Sequence, residues 1–311
     1  MAPINQSRVS EFILMGITRD PTLQLYLSIL FLLIYLITMF GNSTIIFIIL
    51  IINDLHTPMY FFLSNLSFSD LSYSTVVTPK LLYALFSKQR EIFISYTACV
   101  FQLYFFAVFA STECYILSAM AYDRYVAICH PLLYPLIMNK KRCINVILIV
   151  YIGGLCTGGV HTYSTFILSF CGPNIINHFY CDIPPLMELS CSDTYTSKTV
   201  IFGVVSCLGL LSVMVILSSY FYIFFTIMNI HTAEGRHKAF STCTSHLLCV
   251  ALFYGTVFFM YLRPASNYSV TQNKVVSVFY TMVIPMMNPI IYSLRNREVK
   301  DILLFYLKKL L

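Results

Sequence analysis

The run that decides the fold is TVIFGVVSCLGLLSVMVILSSYFYIFFTIMNIHTA (residues 199–233), which contains no Asp, Glu, Lys or Arg. A helix needs roughly 20 apolar residues to cross a hydrocarbon layer of ~30 Å, so this run can span a membrane. The whole chain of 311 residues is 58% hydrophobic and 10% charged, whereas soluble domains are about 25% charged. This composition excludes soluble globular and disordered proteins.

Similar runs recur along the chain and give the number of spans. The charge-free runs are 21–53, 92–112, 143–181, 199–233, 239–262 and 275–294, and a further run, 55–79, is interrupted only by Asp70. Because the runs are continuous rather than alternating, they favour helices. The sequence predicts an all-α membrane protein, a seven-transmembrane helix bundle, with spans near 24–51, 58–82, 96–128, 143–166, 198–228, 238–262 and 273–294.

The basic residues predict the orientation. More than half of the 19 Lys and Arg residues fall in the turns after the first, third and fifth helices and in the C-terminal segment. The positive-inside rule places these segments in the cytoplasm and the N-terminus outside. We therefore expect a multi-pass plasma-membrane protein with an extracellular N-terminal tail (1–23), a seven-helix domain (24–294) and a cytoplasmic tail (295–311). Apolar and basic residues in that tail predict a short amphipathic helix on membrane lipid.

Four cysteines fall on the predicted outer side, where the compartment is oxidising. These are Cys99, Cys171, Cys181 and Cys191, for which the sequence leaves three pairings open. Asn5 begins an Asn-Gln-Ser glycosylation acceptor in the outer tail.

Two carboxyl groups, Asp70 and Glu113, lie within predicted spans. A charge at the bilayer centre costs ~2.5–3.5 kcal/mol on insertion scales, so both side chains are expected to face the bundle interior. They are interpreted either as a shared cation or proton site, or as two carboxyls hydrogen-bonded for packing. Asn42, Asn288 and Ser111 are expected in the same polar interior.

Two features lie near the predicted inner ends of helices. Pro289 removes a backbone donor in the seventh helix and should kink it. Asp123, Arg124 and Tyr125 place an acid beside a base where the third helix leaves the membrane. Interfacial snorkelling is the alternative explanation for that pair.

Several motifs together resemble the signature set of odorant receptors, which are rhodopsin-like G-protein-coupled receptors. The motifs are LHTPMYFFLSNLS (55–67), MAYDRYVAIC (120–129), SY (219–220), KAFSTCTSHL (238–247) and PMMNPIIY (285–292). The resemblance extends over nearly the whole chain, from residue 41 to 296. Thr57 in the first motif looks like the tetrapod class of the family.

The resemblance implies specific roles for residues of these motifs. It pairs Cys99 with Cys181 and Cys171 with Cys191, and it makes Asp70 and Glu113 the walls of a sodium pocket. It also implies a switch that faces a G protein and moves the inner half of the sixth helix. The switch residues are Asp123, Arg124, Tyr125, Tyr220, Lys238, Asn288, Pro289 and Tyr292.

The resemblance also implies a ligand pocket. Its walls are Phe106, Ala107, Ala110, Ser111, Val204, Val205, Leu208, Tyr254, Val257, Phe258, Tyr261, Val278 and Thr281. None of these side chains is charged, so a small, neutral and mostly apolar odorant is expected. Ser111, Tyr254, Tyr261 or Thr281 is expected to donate a hydrogen bond to it.

The implied partner is a stimulatory, olfactory-type heterotrimeric G protein that raises cyclic AMP. An enzyme is not expected, because the histidines form no ligand-spaced cluster and no phosphate loop or nucleophile elbow occurs. No cofactor is expected apart from bound sodium, and no nucleic-acid partner.

The alternative is a transporter or channel that relays ions through Asp70 and Glu113, but the chain shows no inverted repeat. His178 is interpreted as a structural residue of the outer loop.

Overall fold

The computed structural model describes residues 9–18, 20–87, 91–261 and 270–295. In chain order the elements are β1 (Glu11–Met15), α1 (Pro21–Ile51), α2 (Pro58–Phe86), β2 (Glu91–Ser95), α3 (Tyr96–Cys129), α4 (Tyr134–Ile137), α5 (Lys140–Phe166), β3 (Ile175–Ile176), α6 (Ile183–Glu188), α7 (Tyr195–Met228), α8 (Ala233–Tyr261), α9 (Val270–Val278), a π-helical segment (Phe279–Val283) and α10 (Ile284–Arg295). The predicted spans correspond to α1, α2, α3, α5, α7, α8 and the α9–α10 unit. The predicted tail helix lies outside the described residues.

Side chains at the helix starts explain where several helices begin. The Thr22 N–H donates to Asp20 at 2.8 Å, and the Ala98 N–H donates to Ser95 at 3.2 Å. Asn139 caps α5 in the same way by accepting from the Arg142 N–H at 3.0 Å. Such caps satisfy amide groups that have no partner within the helix. They place the start of α1 at Pro21 rather than at the predicted residue 24.

The bundle is apolar on its outer surface. Large side chains such as Phe40 and Phe202 are exposed, whereas Asp70, Glu113 and Asn288 are buried. Among the described residues, five segments are long and apolar enough to cross a membrane: Pro21–Ile51, Tyr96–Cys129, Lys140–Phe166, Tyr195–Met228 and Gln272–Tyr292. The two other long helices are α2 and α8, and α8 contains the shorter apolar stretch Cys243–Phe258. This inside-out distribution is typical of a multi-pass membrane protein.

Helix α3 runs through the centre and packs against α2, α5 and α7. Glycine allows its close approach to α5. A Cβ atom added at Gly154 would lie 2.3 Å from Thr112 Oγ1, and one added at Gly158 would lie 2.5 Å from Val108 Cγ2. Small residues at such crossings let helix backbones approach closely in membranes.

The seventh span is not one regular helix. It changes from α9 to the π-helical segment and then to α10, whose second residue is Pro285. Proline has no N–H to donate, which is a common cause of such local irregularity. Asn42 on α1 donates its Nδ2 to the Pro285 carbonyl at 3.0 Å, so the irregular turn is held by a neighbouring helix.

A small sheet, which was not predicted, covers one end of the bundle. Strand β1 is central, antiparallel to β2 and parallel to β3. Phe12 and Leu14 of β1 are fully buried. The N-terminal tail predicted for residues 1–23 therefore contains a strand at 11–15 and, from residue 21, the start of α1. The alternation of buried and exposed residues in β1 and β2 is the period of a strand with one face covered.

Candidate ligand site and switch

We call the end of the bundle that carries the sheet and the two disulfides the outer end, and the opposite end the inner end. Cys99 at the start of α3 is bonded to Cys181, and Cys171 is bonded to Cys191. These are the pairs that the resemblance implies. The Cys181 N–H also donates to the Gln102 side chain of α3 at 3.0 Å. The segment around Cys181, residues 178–182, is thus held down on α3, and we call it the lid segment.

Aromatic rings gather beneath the lid segment around Phe106. The Phe106 ring centroid lies 5.0 Å from that of Tyr73, 5.0 Å from that of Tyr180 and 6.0 Å from that of Tyr280. All four residues are buried. Tyr73, Tyr180 and Tyr280 were not in the predicted pocket. Tyr180 comes from a loop that periodicity does not describe, although its position next to Cys181 was a usable signal.

The other predicted pocket residues take different positions around this cluster. Ala107, Tyr254 and Thr281 are buried, whereas Phe258 is 42% exposed. The half-buried members are Ala110, Ser111, Val204, Val205, Leu208, Val257 and Val278. The side chain of Tyr261 lies outside the described residues.

Two of the predicted hydrogen-bond donors are already engaged. The Thr281 hydroxyl donates to the Ser277 carbonyl at 2.6 Å. The Tyr254 hydroxyl contacts Ser212 of α7 and lies 3.0 Å from Cys114 Sγ of α3. Ser111 makes no hydrogen bond within the described part of the chain. Of these three donors, Ser111 is therefore the one whose hydroxyl is available.

A chain of hydrogen bonds connects the lid segment to α9 and the π-helical segment. His178 Nε2 lies 3.1 Å from the Ser277 hydroxyl, which lies 3.0 Å from the Tyr280 hydroxyl. Tyr280 contacts the Tyr180 hydroxyl, which donates to Asp182 Oδ2 at 3.0 Å. Burial raises the pKa of Asp182 to about 6, although bonds from the Ile183 N–H and Tyr180 act in the opposite direction.

A polar cluster joins α2, α3 and α10 at the middle of the bundle. Asn288 Nδ2 lies 3.0 Å from Asp70 Oδ2 and 3.3 Å from Glu113 Oε1. Two oxygens here, Glu113 Oε2 and Asn288 Oδ1, are buried without a hydrogen-bond partner among the described residues. Oxygen acceptors of this kind fit a hard cation. No group of three or more His, Cys, Asp or Glu side chains that could hold a metal occurs in the described ranges.

Several of the predicted switch residues gather at the inner end, whereas Asn288 belongs to the polar cluster at the middle of the bundle. Arg124 is 4% exposed and lies close enough to Tyr220 and Tyr292 to act on both electrostatically. Asp123 accepts a hydrogen bond from the Tyr134 hydroxyl at 3.0 Å, so its carboxylate is tied to α4. Tyr125 lies 3.1 Å from His130. The side chain of Lys238 lies outside the described residues, as does Asn5 of the predicted glycosylation site.

His246 is a member of this cluster that was not in the predicted switch. The Tyr220 hydroxyl lies 2.8 Å from His246 Nδ1, and His246 Nε2 lies 3.0 Å from the Leu117 carbonyl. This single side chain of α8 therefore connects to both α7 and α3. The KAFSTCTSHL motif contains it, but the sequence alone does not show that this side chain is buried between helices.

A family profile, curated relatives and a solved structure were compared with the chain, and they agree on its fold and family. The sequence profile of a family described as olfactory receptor matches residues 31–309. The chain is 53% identical over 296 residues to olfactory receptor 5AR1 of Mus musculus, covering 95% of each chain. It is also 53% identical over 306 residues to olfactory receptor 5B21 of Homo sapiens, covering 98% of each. The crystal structure of squid rhodopsin superposes with a TM-score of 0.70 at 18% identity, over 91% of this chain and 80% of that chain, which shows a shared seven-helix fold. The chain belongs to the olfactory receptor family.

Proposed function

We propose that this receptor binds a small, neutral volatile in the outer half of the bundle and activates a stimulatory, olfactory-type G protein, which raises cyclic AMP. The observation that carries the proposal is the separation of two buried clusters along α3. An aromatic cluster around Phe106 lies under the lid segment, and a polar cluster around Arg124 lies at the inner end. Ligand binding at one end and coupling at the other require such an arrangement. We assign no enzymatic activity and no nucleic-acid partner.

The chemistry of the pocket walls supports a neutral ligand. Aromatic rings around Phe106 offer apolar area, and Ser111 offers a hydroxyl. Burying a charged ligand without a partner is costly. A small molecule with an apolar body and one polar group therefore fits these walls best.

We infer that the receptor lies in the plasma membrane with its N-terminus outside. Both disulfides are at the end of the bundle that carries β1, which suits an oxidising compartment. Lys140, Lys141 and Arg142 are exposed at the opposite end, as the positive-inside rule expects of a cytoplasmic face. Asn5 is then on the side where glycosylation takes place.

Coupling is proposed to work by a shift between two arrangements of α8. In this structure His246 ties α8 to α3 and α7. A ligand with a higher affinity for an arrangement in which α8 has moved away would shift the receptor towards that arrangement. The size of the shift is set by the ratio of the ligand's affinities for the two arrangements. Leu132, in the inner connection after α3, is 95% exposed, and it offers an apolar contact to the G protein.

We further propose that a sodium ion binds between Asp70 and Glu113. The unpartnered oxygens of Glu113 and Asn288 would supply ligands to it. A bound cation would also offset the repulsion between two buried carboxylates. This site is not needed for odorant recognition, so its failure would leave the receptor function standing.

The proposed function is tested with a panel of neutral, acidic and amine volatiles on cells that express the receptor, with cyclic AMP as the readout. Neutral members are expected to give the responses. Vesicles that contain the purified receptor would show no substrate or ion flux under the same conditions, which separates a receptor from a transporter. Responses confined to acids or amines would contradict the neutral-ligand proposal.

A further inference from the structure

A groove on the outer surface of the bundle lies between the outer halves of α5 and α7. Its volume is about 610 Å³, which is within the range of sites that bind small molecules. Apolar side chains that face the lipid, namely Val160, Ile167 and Val200, form part of its wall. The residues that line it are distinct from the aromatic cluster around Phe106, so the groove is separate from the proposed odorant pocket. We call it the α5–α7 groove.

The α5–α7 groove has the depth of one leaflet of the membrane. Ile167 directly follows the last residue of α5 at the outer end, and Cys156 lies eleven residues earlier on the same helix. At 1.5 Å per residue, the groove therefore extends over roughly 16 Å. This is about half of the ~30 Å hydrocarbon layer. A lipid that stands upright in the outer leaflet would lie along its length.

The outer part of the groove carries two serine hydroxyls. Ser164 on α5 and Ser197 in the first turn of α7 both line it, and each is 7% exposed. Serine in a helix often donates to a carbonyl of the preceding turn, as Ser218 does to Met214 at 2.7 Å. Neither Ser164 nor Ser197 makes a hydrogen bond within the described part of the chain. A polar group that faces hydrocarbon without a partner is costly, so the two hydroxyls favour a ligand with a polar group at this level.

Deeper in the groove, the surface of α5 is open at Gly159. A Cβ atom added there would have nothing within 4 Å, although the neighbouring Gly158 packs closely against α3. The absence of a side chain at Gly159 leaves a flat strip between the polar outer part and Cys156. A flat and rigid apolar body can lie against such a strip.

We propose that the α5–α7 groove binds a membrane sterol, whose hydroxyl bonds Ser164 and Ser197 and whose ring system lies over Gly159. A sterol hydroxyl both donates and accepts, so it can serve both serines at once. A rigid ring system also loses less conformational entropy on binding than a flexible acyl chain does. With its hydroxyl at the membrane surface, the apolar body of the sterol extends to the depth of Cys156. This site goes beyond the proposed function and does not depend on which odorant the receptor binds.

Two cysteines make the proposal directly testable. Cys156 and Cys207 are both free and exposed, but only Cys156 lines the groove. The experiment measures alkylation of both thiols by N-ethylmaleimide with mass spectrometry. It uses the purified full-length receptor, one molecule per nanodisc, in phosphatidylcholine with or without cholesterol. We expect cholesterol to slow the labelling of Cys156 about fivefold, which corresponds to about four fifths occupancy, and to leave Cys207 unchanged. Equal effects of cholesterol on the two thiols would overturn the proposal.

Serine variants and a modified sterol test the polar contact. Ser164→Ala and Ser197→Ala should each weaken the protection of Cys156 by cholesterol, whereas Ser218→Ala, outside the groove, should keep it. Cholesterol methyl ether has no hydrogen to donate and should protect less than cholesterol. Ser197→Ala removes only a hydroxyl without a partner in the described ranges, so it tests the site even if Ser164→Ala does not fold. Full protection in both alanine variants would overturn the assignment of the serines.

Two further lipid and protein conditions test the identity of the occupant. Diacylglycerol has a hydroxyl but flexible chains, so equal protection of Cys156 by diacylglycerol would overturn the assignment to a sterol. Protection of Cys156 without cholesterol in nanodiscs that hold two receptors, and not in those that hold one, would assign the groove to a second copy of the chain. Each of these outcomes leaves the cyclic AMP response to odorants, and thus the proposed function, untouched.

Discussion

The Tyr220 hydroxyl lies 2.8 Å from His246 Nδ1, and the two rings are stacked with an interplanar angle of 16°. The other nitrogen of the same imidazole reaches the Leu117 carbonyl. One side chain thus holds α8 against two neighbouring helices at the level of Arg124. The inner end is therefore closed by directed contacts as well as by apolar packing.

Replacing His246 should loosen this closure. His246→Phe keeps a ring that can stack on Tyr220 but removes both hydrogen bonds. A net loss of about 1 kcal/mol would shift a two-state equilibrium about fivefold towards the open arrangement. We expect basal cyclic AMP to rise by about this factor at equal surface expression. His237→Phe, at an exposed position of α8, is the control; an unchanged basal level in His246→Phe would show that the contact is only structural.

The buried carboxyl pair predicts a dependence on sodium. Glu113→Gln keeps the size of the side chain but removes the charge next to Asp70 and Asn288. Sodium is expected to increase the thermal stability of the wild-type receptor relative to potassium at equal ionic strength, and Glu113→Gln should remove this difference. If sodium has no effect on either protein, the two carboxyls serve only for packing and the sodium proposal is wrong.

The close packing of α3 against α5 predicts that one methyl group added at Gly154 lowers the stability of the receptor. Gly154→Ala places a Cβ atom 2.3 Å from Thr112 Oγ1 and 3.0 Å from the Val108 carbonyl oxygen, so the helices must separate. We expect a loss of about 1–3 kcal/mol of stability, seen as a lower midpoint of thermal unfolding. Gly159→Ala meets nothing within 4 Å and should leave the midpoint unchanged or raise it, since alanine favours helices. Equal effects of the two substitutions would contradict the packing described for Gly154.

Asp182 predicts that the lid segment is sensitive to pH. Its pKa is about 6 in the structure against an ordinary 3.8, because burial disfavours the carboxylate. The closed lid segment therefore binds the proton more tightly than an open one. The protonated Asp182 side chain therefore stabilises the closed lid segment. This stabilisation is fully present below about pH 4 and is lost as the pH rises to 6 and above. Hydrogen exchange of residues 176–182 should show looser closure at pH 7 than at pH 5, and Asp182→Asn should reduce that difference. The same pH dependence in Asp182→Asn would assign it to another group.

The sequence predicted the seven helices because each membrane span needs a long run without charge, as in residues 199–233. It also singled out Asp70 and Glu113, because charged groups at such depth are rare, and Arg124, because it stands beside an acid where the third helix leaves the membrane. It did not predict β1, whose five residues become a strand only by pairing with β2 and β3. Tyr180 and His246 were missed because their significance comes from contacts between segments distant in the chain. Hydrogen-bond partners such as those of Thr281 likewise depend on backbone geometry that residue types do not reveal.

The most direct test of the central claim compares cyclic AMP evoked by a panel of neutral volatiles in cells expressing the wild-type receptor or Arg124→Ala. Arg124 is buried at the inner end, far from the aromatic cluster, so its loss should block coupling without preventing ligand binding. The proposed function predicts a concentration-dependent rise in the wild type and none in Arg124→Ala, with both proteins present at the cell surface. Undiminished cyclic AMP in Arg124→Ala at equal surface expression would contradict it.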